Sequence, residues 1–172
     1  MRLNNKTAIV TGGASGFGKG IVEKFIKEGA NVVIADINYD LAKELEDSIG
    51  TNAFAVKVDV SKKSDVDNMI NQSVEHFSEV NILVQNAAIG MKPQPLLETS
   101  EELFDKLFAI NVKSVFLGAK AIIPLFKKQG KGGVILNTVS TAAIRPRPGL
   151  TIYNSTKGAL IPMTKALALE VS

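Results

Sequence analysis

Thr11-Gly12-Gly13-Ala14-Ser15-Gly16-Phe17-Gly18 is the stretch on which the reading of this chain turns. It follows the apolar run Thr7-Ala8-Ile9-Val10 and precedes Ile21-Val22-Glu23-Lys24-Phe25-Ile26, whose apolar residues recur at the three- and four-residue steps of a buried helical face. The order is strand, glycine loop, helix. Glycines admit positive φ angles and the close approach of a ligand's oxygens, and the helix opening here directs unpaired N–H groups at whatever lies above it. A pyrophosphate answers to that description, although three glycines alone would equally serve a plain turn into a helix.

The segments that follow narrow the choice. The first helix is expected over residues 16–28, stopping at Gly29, and residues 31–36 form a second, continuously apolar strand of the kind covered on both faces in a parallel sheet. Asp36 ends it. In a dinucleotide fold a carboxylate roughly 20 residues beyond the glycine loop accepts hydrogen bonds from the adenosine ribose. The same carboxylate repels a 2′-phosphate, and neither Ser15 nor Ile37 offers a cation, so NAD is favoured over NADP.

Further strands are expected over residues 53–58, 81–84 and 133–139. Helices are expected over 39–48 with Asn38 as cap, over 62–77, and from a Thr99/Glu102 capping box toward Lys127. Asp59 either accepts from an adenine amino group or simply ends a strand near a cap at Ser61. Asn86, followed by Ala87 and Ala88, lies where small residues leave room for a flat ligand. Asn111, inside a helix, reads on its own as exposed. The lone His76, between Glu75 and Glu79, reads as a solvated residue, and no metal site is expected.

Composition bounds the function. A chain of 172 residues, 45% hydrophobic and 22% charged, reads as one soluble domain with a core. The 20 basic and 17 acidic residues are spread along the chain, which argues against a nucleic-acid partner. No cysteine is present, so disulfides, thiolate ligands and a cysteine nucleophile are excluded. The first six residues lack the apolar core of a secretory signal, and no apolar run reads as long enough to span a bilayer; a cytoplasmic protein with no membrane partner is expected.

The last strand delivers Ser140, and thirteen residues later comes Tyr153-Asn154-Ser155-Thr156-Lys157. Four-residue spacing on a helix puts Tyr153 and Lys157 on one face. An ammonium there favours the phenolate, so the phenol exchanges a proton with a substrate hydroxyl or carbonyl nearer neutrality.

With these residues in view the chain resembles a short-chain dehydrogenase/reductase, of the branch that includes 3-oxoacyl-carrier-protein reductases and sugar or alcohol dehydrogenases. Thr11, Gly12, Gly16 and Gly18 match the family's Thr-Gly-x-x-x-Gly-x-Gly, and Tyr153 and Lys157 its Tyr-x-x-x-Lys. The resemblance implies a Rossmann-type α/β fold: a doubly wound parallel sheet in three αβα layers. It implies an NAD-dependent interconversion of a secondary alcohol and a ketone by direct hydride transfer. Asn111, Ser140, Tyr153 and Lys157 become the catalytic tetrad, with Tyr153 as acid/base, Ser140 placing the reacting oxygen and Asn111 ordering a relay water. Lys157 also binds nicotinamide ribose. Gly12, Ser15, Gly16, Phe17, Gly18, Asp36, Asp59, Val60 and Asn86 join Tyr153 and Lys157 around the cofactor. Homodimers or homotetramers through the helices of Asn111 and Tyr153 are implied as well.

Two departures stand out. The family's Asn-Asn-Ala-Gly is here Gln85-Asn86-Ala87-Ala88. The family's last two strands and its substrate-covering segment have no counterpart in the 172 residues. The domain over 1–172 is therefore expected to be incomplete at its C-terminal end, with apolar residues in 134–139 and 160–169 facing water or another chain. A fragment of a longer protein is favoured over a native short product stabilised by association, and a catalytically silent nucleotide-binding module is the alternative function. Pro162 is expected to kink its helix. Arg145 and Arg147 stand near the expected substrate side, where solvation explains them as well as an anionic substrate does.

Overall fold

The computed structural model describes residues 1–171. Strands β1 (Thr7–Thr11), β2 (Asn31–Asp36), β3 (Ala53–Lys57), β4 (Ile82–Gln85) and β5 (Val134–Asn137) form one parallel sheet in the order β3-β2-β1-β4-β5. Helices α1 (Gly16–Lys27), α2 (Tyr39–Ile49), α3 (Lys63–Phe77), α4 (Glu101–Phe108), α5 (Ser114–Gln129) and α6 (Thr151–Val171) connect or follow the strands. The α/β sheet is doubly wound, as expected for a Rossmann-type fold. The strand order reverses between β1 and β4, which opens a crevice at their C-terminal ends.

Side-chain alternation builds the layers. Ala8, Val10, Val32 and Ile34 face the core shared with α1 and α2, whereas Ile9, Val33 and Leu83 face the core shared with α3 and α5. Every residue of β1 is buried because both of its faces are covered. Each Ile or Leu so buried stabilises the fold by about 1.5–3 kcal/mol. Asn38 caps α2 by accepting from the Leu41 N–H, and Gly29, at φ +89°, closes α1.

The long helix expected from residue 99 toward Lys127 is present as a continuous helical run, Glu101–Gln129, that starts two residues later and carries a π turn. Thr99 spends its hydroxyl on the preceding turn, accepting from the Gln94 amide and donating to the Pro95 carbonyl, so Ser100 caps α4 instead and accepts from Leu103 N–H. A single π turn, Ala109–Lys113, then joins α4 to α5, with the buried Asn111 at its centre. Ser61 is likewise not a cap: Lys62 precedes α3, and Ser61 donates both its N–H and its hydroxyl to Asp59.

The helical run Glu101–Gln129 reaches the length and, at 1.5, the mean hydropathy of a membrane-crossing helix, contrary to the expectation that no run was long enough. Leu107, Val115, Leu117, Ile122 and Phe126 within it are buried, so the hydropathy belongs to its core-packed face. His76 is exposed, as expected, yet its ring stacks on Phe54 at 4.1 Å.

At the β5 edge, Val134 and Leu136 are 50% and 46% exposed, and Leu169 is 82% exposed, as anticipated. Leu160 is not: it is buried, one turn beyond Thr156 on the face that α6 turns toward Asn111. Helix α6 continues through Pro162 to Val171.

Candidate functional site

The crevice is organised by Thr11. Its hydroxyl accepts from the N–H groups of Asn86 and Ala87 at 3.0 and 3.1 Å and donates to the Val84 carbonyl, stitching β1 to the end of β4. The Asn86 side-chain amide donates to the Thr11 and Gly12 carbonyls at 3.1 and 3.3 Å, so the glycine loop rests on the loop after β4.

The glycines have distinct reasons. Gly12 and Gly16 hold φ values of +63° and +52°, in the left-handed region. Gly18 is there for proximity: a Cβ would lie 1.8 Å from the Gly12 carbonyl oxygen. Nothing stands within 4 Å of a Cβ at Gly16, and Ser15, at the N-cap of α1, makes no side-chain bond to the helix. The first-turn N–H groups are thereby left for a ligand.

Asp36 is buried at the end of β2, its two carboxylate oxygens accepting from Ala14 N–H and Asn38 N–H, each at 3.0 Å. A carboxylate has about four acceptor sites, so capacity for a diol remains. Asp59 lies at the adjacent strand end, where its bonds to Ser61 and the nearby Lys62 ammonium hold its carboxyl below the usual range.

Ser15, Phe17, Gly12, Asp36, Asp59, Val60 and Asn86 line one cleft with Ser140, Tyr153 and Lys157, enclosing about 830 Å³. Gly16, Gly18 and Asn111 are not on its wall. The cleft is of the size that ligand sites commonly have, and its open glycine cradle, uncapped helix end and buried carboxylate with spare acceptor capacity fit a dinucleotide.

At the other end, Ser140 accepts from Ala142 N–H at 3.1 Å through its hydroxyl oxygen. Lys157, only 4% exposed, donates to the Thr138 carbonyl at 2.8 Å, and burial lowers its pKa from the ordinary lysine value. Tyr153, half-buried, opens on the cleft one turn before it.

Asn111, read by itself as exposed, is 1% exposed. Its carbonyl accepts from Ile89 N–H and its amide donates to the Ile89 carbonyl, both at 2.9 Å, and to the Thr156 hydroxyl at 3.2 Å. It thus ties the loop after β4 to α6.

Sequence reasoning passed over Thr138, the partner of Lys157. Its place two residues before Ser140 was the available signal. Lys106, Ile89 and Ile110 also line the cleft without having been singled out.

The model of the short chain dehydrogenase family matches residues 6–172. The chain belongs to the short-chain dehydrogenase family. Within the family, the 4-formylbenzenesulfonate dehydrogenase of Comamonas testosteroni is 39% identical over 99% of this chain and 68% of its own length. The sorbitol dehydrogenase of Cereibacter sphaeroides is 36% identical over 99% of this chain and 66% of its own. A 3-ketoacyl-(acyl-carrier-protein) reductase from Brucella melitensis, solved with NADH, superposes with a TM-score of 0.95 at 45% identity, over 98% of this chain and 71% of its own. A short-chain dehydrogenase/reductase from Burkholderia phymatum, solved with NAD, gives 0.92 at 30% identity, over 97% of this chain and 60% of its own. This short-chain dehydrogenase chain therefore spans about two-thirds of the length of the relatives it matches.

Proposed function

We propose that these residues form the nucleotide-binding and acid/base part of an NAD-dependent oxidoreductase that interconverts a secondary alcohol and a ketone, with 1–172 acting as one nucleotide-binding unit. The observation that carries the proposal is the single cleft with Asp36 and the glycine loop at one end and Ser140, Tyr153 and Lys157 at the other. Relatives named as dehydrogenases of sorbitol and galactitol, and solved neighbours holding NADH and NAD, support the reaction class and the cofactor.

Bound NAD supplies the hydride acceptor. The chain's own residues supply the rest. Asp36 receives the adenosine ribose hydroxyls, and the uncapped first turn of α1 receives the pyrophosphate. Asp59 and Val60 would border the adenine, and Phe17, 86% exposed, stands on the wall of the same cleft. Ser140 takes the Ala142 N–H on its oxygen, which frees its hydroxyl proton for the substrate oxygen. Tyr153 receives the alcohol proton on its phenolic oxygen, or returns it to the carbonyl in the reverse direction. Lys157, steadied by the Thr138 carbonyl, keeps an ammonium beside that phenol and within reach of ribose hydroxyls. Asn111 keeps the loop after β4 in register with α6, through Ile89 and Thr156.

Self-association belongs to the same proposal. The α4–α5 face presents Phe104 and Phe116 at 42% and 52% exposure beside a hollow of about 400 Å³ bordered by Val112 and Phe108. Such a face fits a second copy of the chain.

The test is NADH formation by the whole gene product with a panel of secondary alcohols. Turnover that falls by roughly a hundred- to ten-thousandfold in Tyr153→Phe, with NAD binding retained, is the expected result. NAD binding without turnover of any alcohol or ketone would instead favour a silent nucleotide-binding module.

A further inference from the structure

Outside the cleft wall lies an amide chain, rooted in the buried Gln85, that the proposed chemistry does not use. Gln85 ends β4 directly opposite Asn137, which ends β5. The Gln85 amide donates to the Asn137 side-chain oxygen at 3.0 Å and to the Val115 carbonyl of α5 at 3.2 Å. The Asn137 amide in turn donates to the Thr164 hydroxyl at 2.8 Å, and Thr164 donates to the Leu160 carbonyl one turn back along α6.

The backbone follows the same route. The Gln85 carbonyl accepts from Thr138 N–H at 3.0 Å, and the carbonyl of that same Thr138 accepts from Lys157. Helix α6 is therefore held at two points, Thr164 and Lys157, and both holds converge on Gln85 through Asn137, which ends β5, and Thr138, the residue after it.

Space has been cleared for this arrangement. A Cβ at Gly118 of α5 would lie 2.1 Å from the Gln85 side-chain oxygen Oε1 and 2.9 Å from its Cδ. Gly118 costs helix propensity in the middle of a buried helix, and the Gln85 side chain accounts for its presence. An amide that satisfied only itself would need neither the third element nor the gap.

We propose that Gln85, seated in the gap at Gly118, is a positioning residue for the reaction: through Asn137 and Thr138 it sets the placement of α6, and with it that of Tyr153 and Lys157 relative to the cofactor cleft. This rests on the oxidoreductase reading above. Rate is sensitive to such placement, since a misplacement of about 1 Å costs on the order of a hundredfold. The nucleotide half of the cleft hangs from Thr11, Asn86 and Asp36; it meets this chain through the Thr138 hydroxyl, which donates to the Asn86 side-chain oxygen at 3.4 Å and which the Gln85 and Thr164 variants leave in place.

The experiment uses the whole gene product in five variant forms: Gln85→Met, which keeps length but removes the donors; Thr164→Val and Thr164→Ser, which remove and retain the hydroxyl; and Gly118→Ala with and without Gln85→Asn. Steady-state kinetics and ADP-ribose affinity are measured together. Expected are a fall in kcat of about tenfold in Gln85→Met and Thr164→Val, with KM for NAD and ADP-ribose affinity within twofold of the parent. Thr164→Ser is expected to keep the parent's kcat, and the kcat lost in Gly118→Ala should return when Gln85→Asn shortens the opposing side chain. Unchanged kcat in Thr164→Val, an equal loss in Thr164→Ser, or a parallel loss of ADP-ribose affinity would each overturn the proposal.

If the parent turns over no substrate, the oxidoreductase reading has failed and the positioning role is then judged by amide hydrogen exchange. Gln85→Met should speed exchange in α6 around residues 156–161 while leaving α1 protected. Equal protection of α6 in variant and parent would overturn the proposal even then.

Discussion

Gly18→Ala and Gly20→Ala add the same methyl group two residues apart on α1, and the structure gives them opposite signs. At Gly18 the new Cβ would stand 1.8 Å from the Gly12 carbonyl oxygen, 2.7 Å from its carbon and 2.8 Å from the Asn86 amide nitrogen. Ordinary contact begins near 3.4 Å, so the glycine loop has to retreat by about 1.6 Å, and the nearest obstacle is backbone, which has no rotamer to yield. Overpacking of this kind costs roughly 1–3 kcal/mol, offset by about 0.5–1 kcal/mol for replacing a helical glycine. The net expectation is a Tm lower by roughly 3–6 °C for a chain of this size.

Binding suffers more than stability does. A retreat of that size takes two or more loop N–H groups out of hydrogen-bond range of a pyrophosphate, each contributing about 1 kcal/mol, so NAD affinity should fall on the order of 10- to 100-fold. At Gly20 nothing lies within 4 Å of the added Cβ and the residue is exposed. There the methyl should stabilise by about 0.5–1 kcal/mol and leave NAD binding unchanged. Thermal denaturation and calorimetric titration with NAD read both quantities. A Gly18→Ala chain as stable and as NAD-competent as the parent, or a Gly20→Ala chain equally impaired, would refute the reasoning.

Three further outcomes are expected. Asp36→Ala should weaken NAD binding more than NADP binding and also lower Tm, because the carboxylate holds Ala14 N–H of the glycine loop as well as Asn38 N–H; equal losses for the two cofactors would refute its role in choosing between them. Lys157, whose pKa burial lowers, sheds its proton in the folded chain before the unfolded chain does at 10.5. Between those two values the unfolded state binds more protons, so the parent should gain stability relative to Lys157→Met as pH rises toward 10.5, and parallel stability curves from chemical denaturation would contradict this. Phe116→Asp on the exposed α4–α5 face should convert a dimer to a monomer by light scattering, and an unchanged mass would remove that face from the account.

Much of this was legible because the physics behind it is local. Strands β1 and β2 announce themselves as apolar runs since both of their faces are covered, and the glycine loop, Asp36 and the Tyr153/Lys157 spacing each carry their own chemical reason. What escaped depended on contacts distant in sequence. Asn111 has the residue type of an exposed helical position; the bonds to Ile89 and Thr156 that accompany its burial come from the loop after β4 and from α6, 22 and 45 residues away in sequence. Thr99 and Ser100 are equally good caps by residue type, and the bond from Gln94 to Thr99 made the choice. Gln85 was visible as a departure from the family's asparagine. The gap at Gly118, thirty-three residues on, gives that departure its meaning.

The central claim is that one cleft joins an NAD site to a Tyr153-dependent proton transfer. Its most direct measurement is isotopic: the whole gene product is incubated with NAD and secondary alcohols carrying deuterium on the carbinol carbon, and the reduced nicotinamide is examined by mass spectrometry. The account predicts deuterium delivered to the nicotinamide without exchange with solvent, and its disappearance in Tyr153→Phe while NAD remains bound. Reduced nicotinamide lacking the label, or label transfer undiminished in Tyr153→Phe, would contradict it.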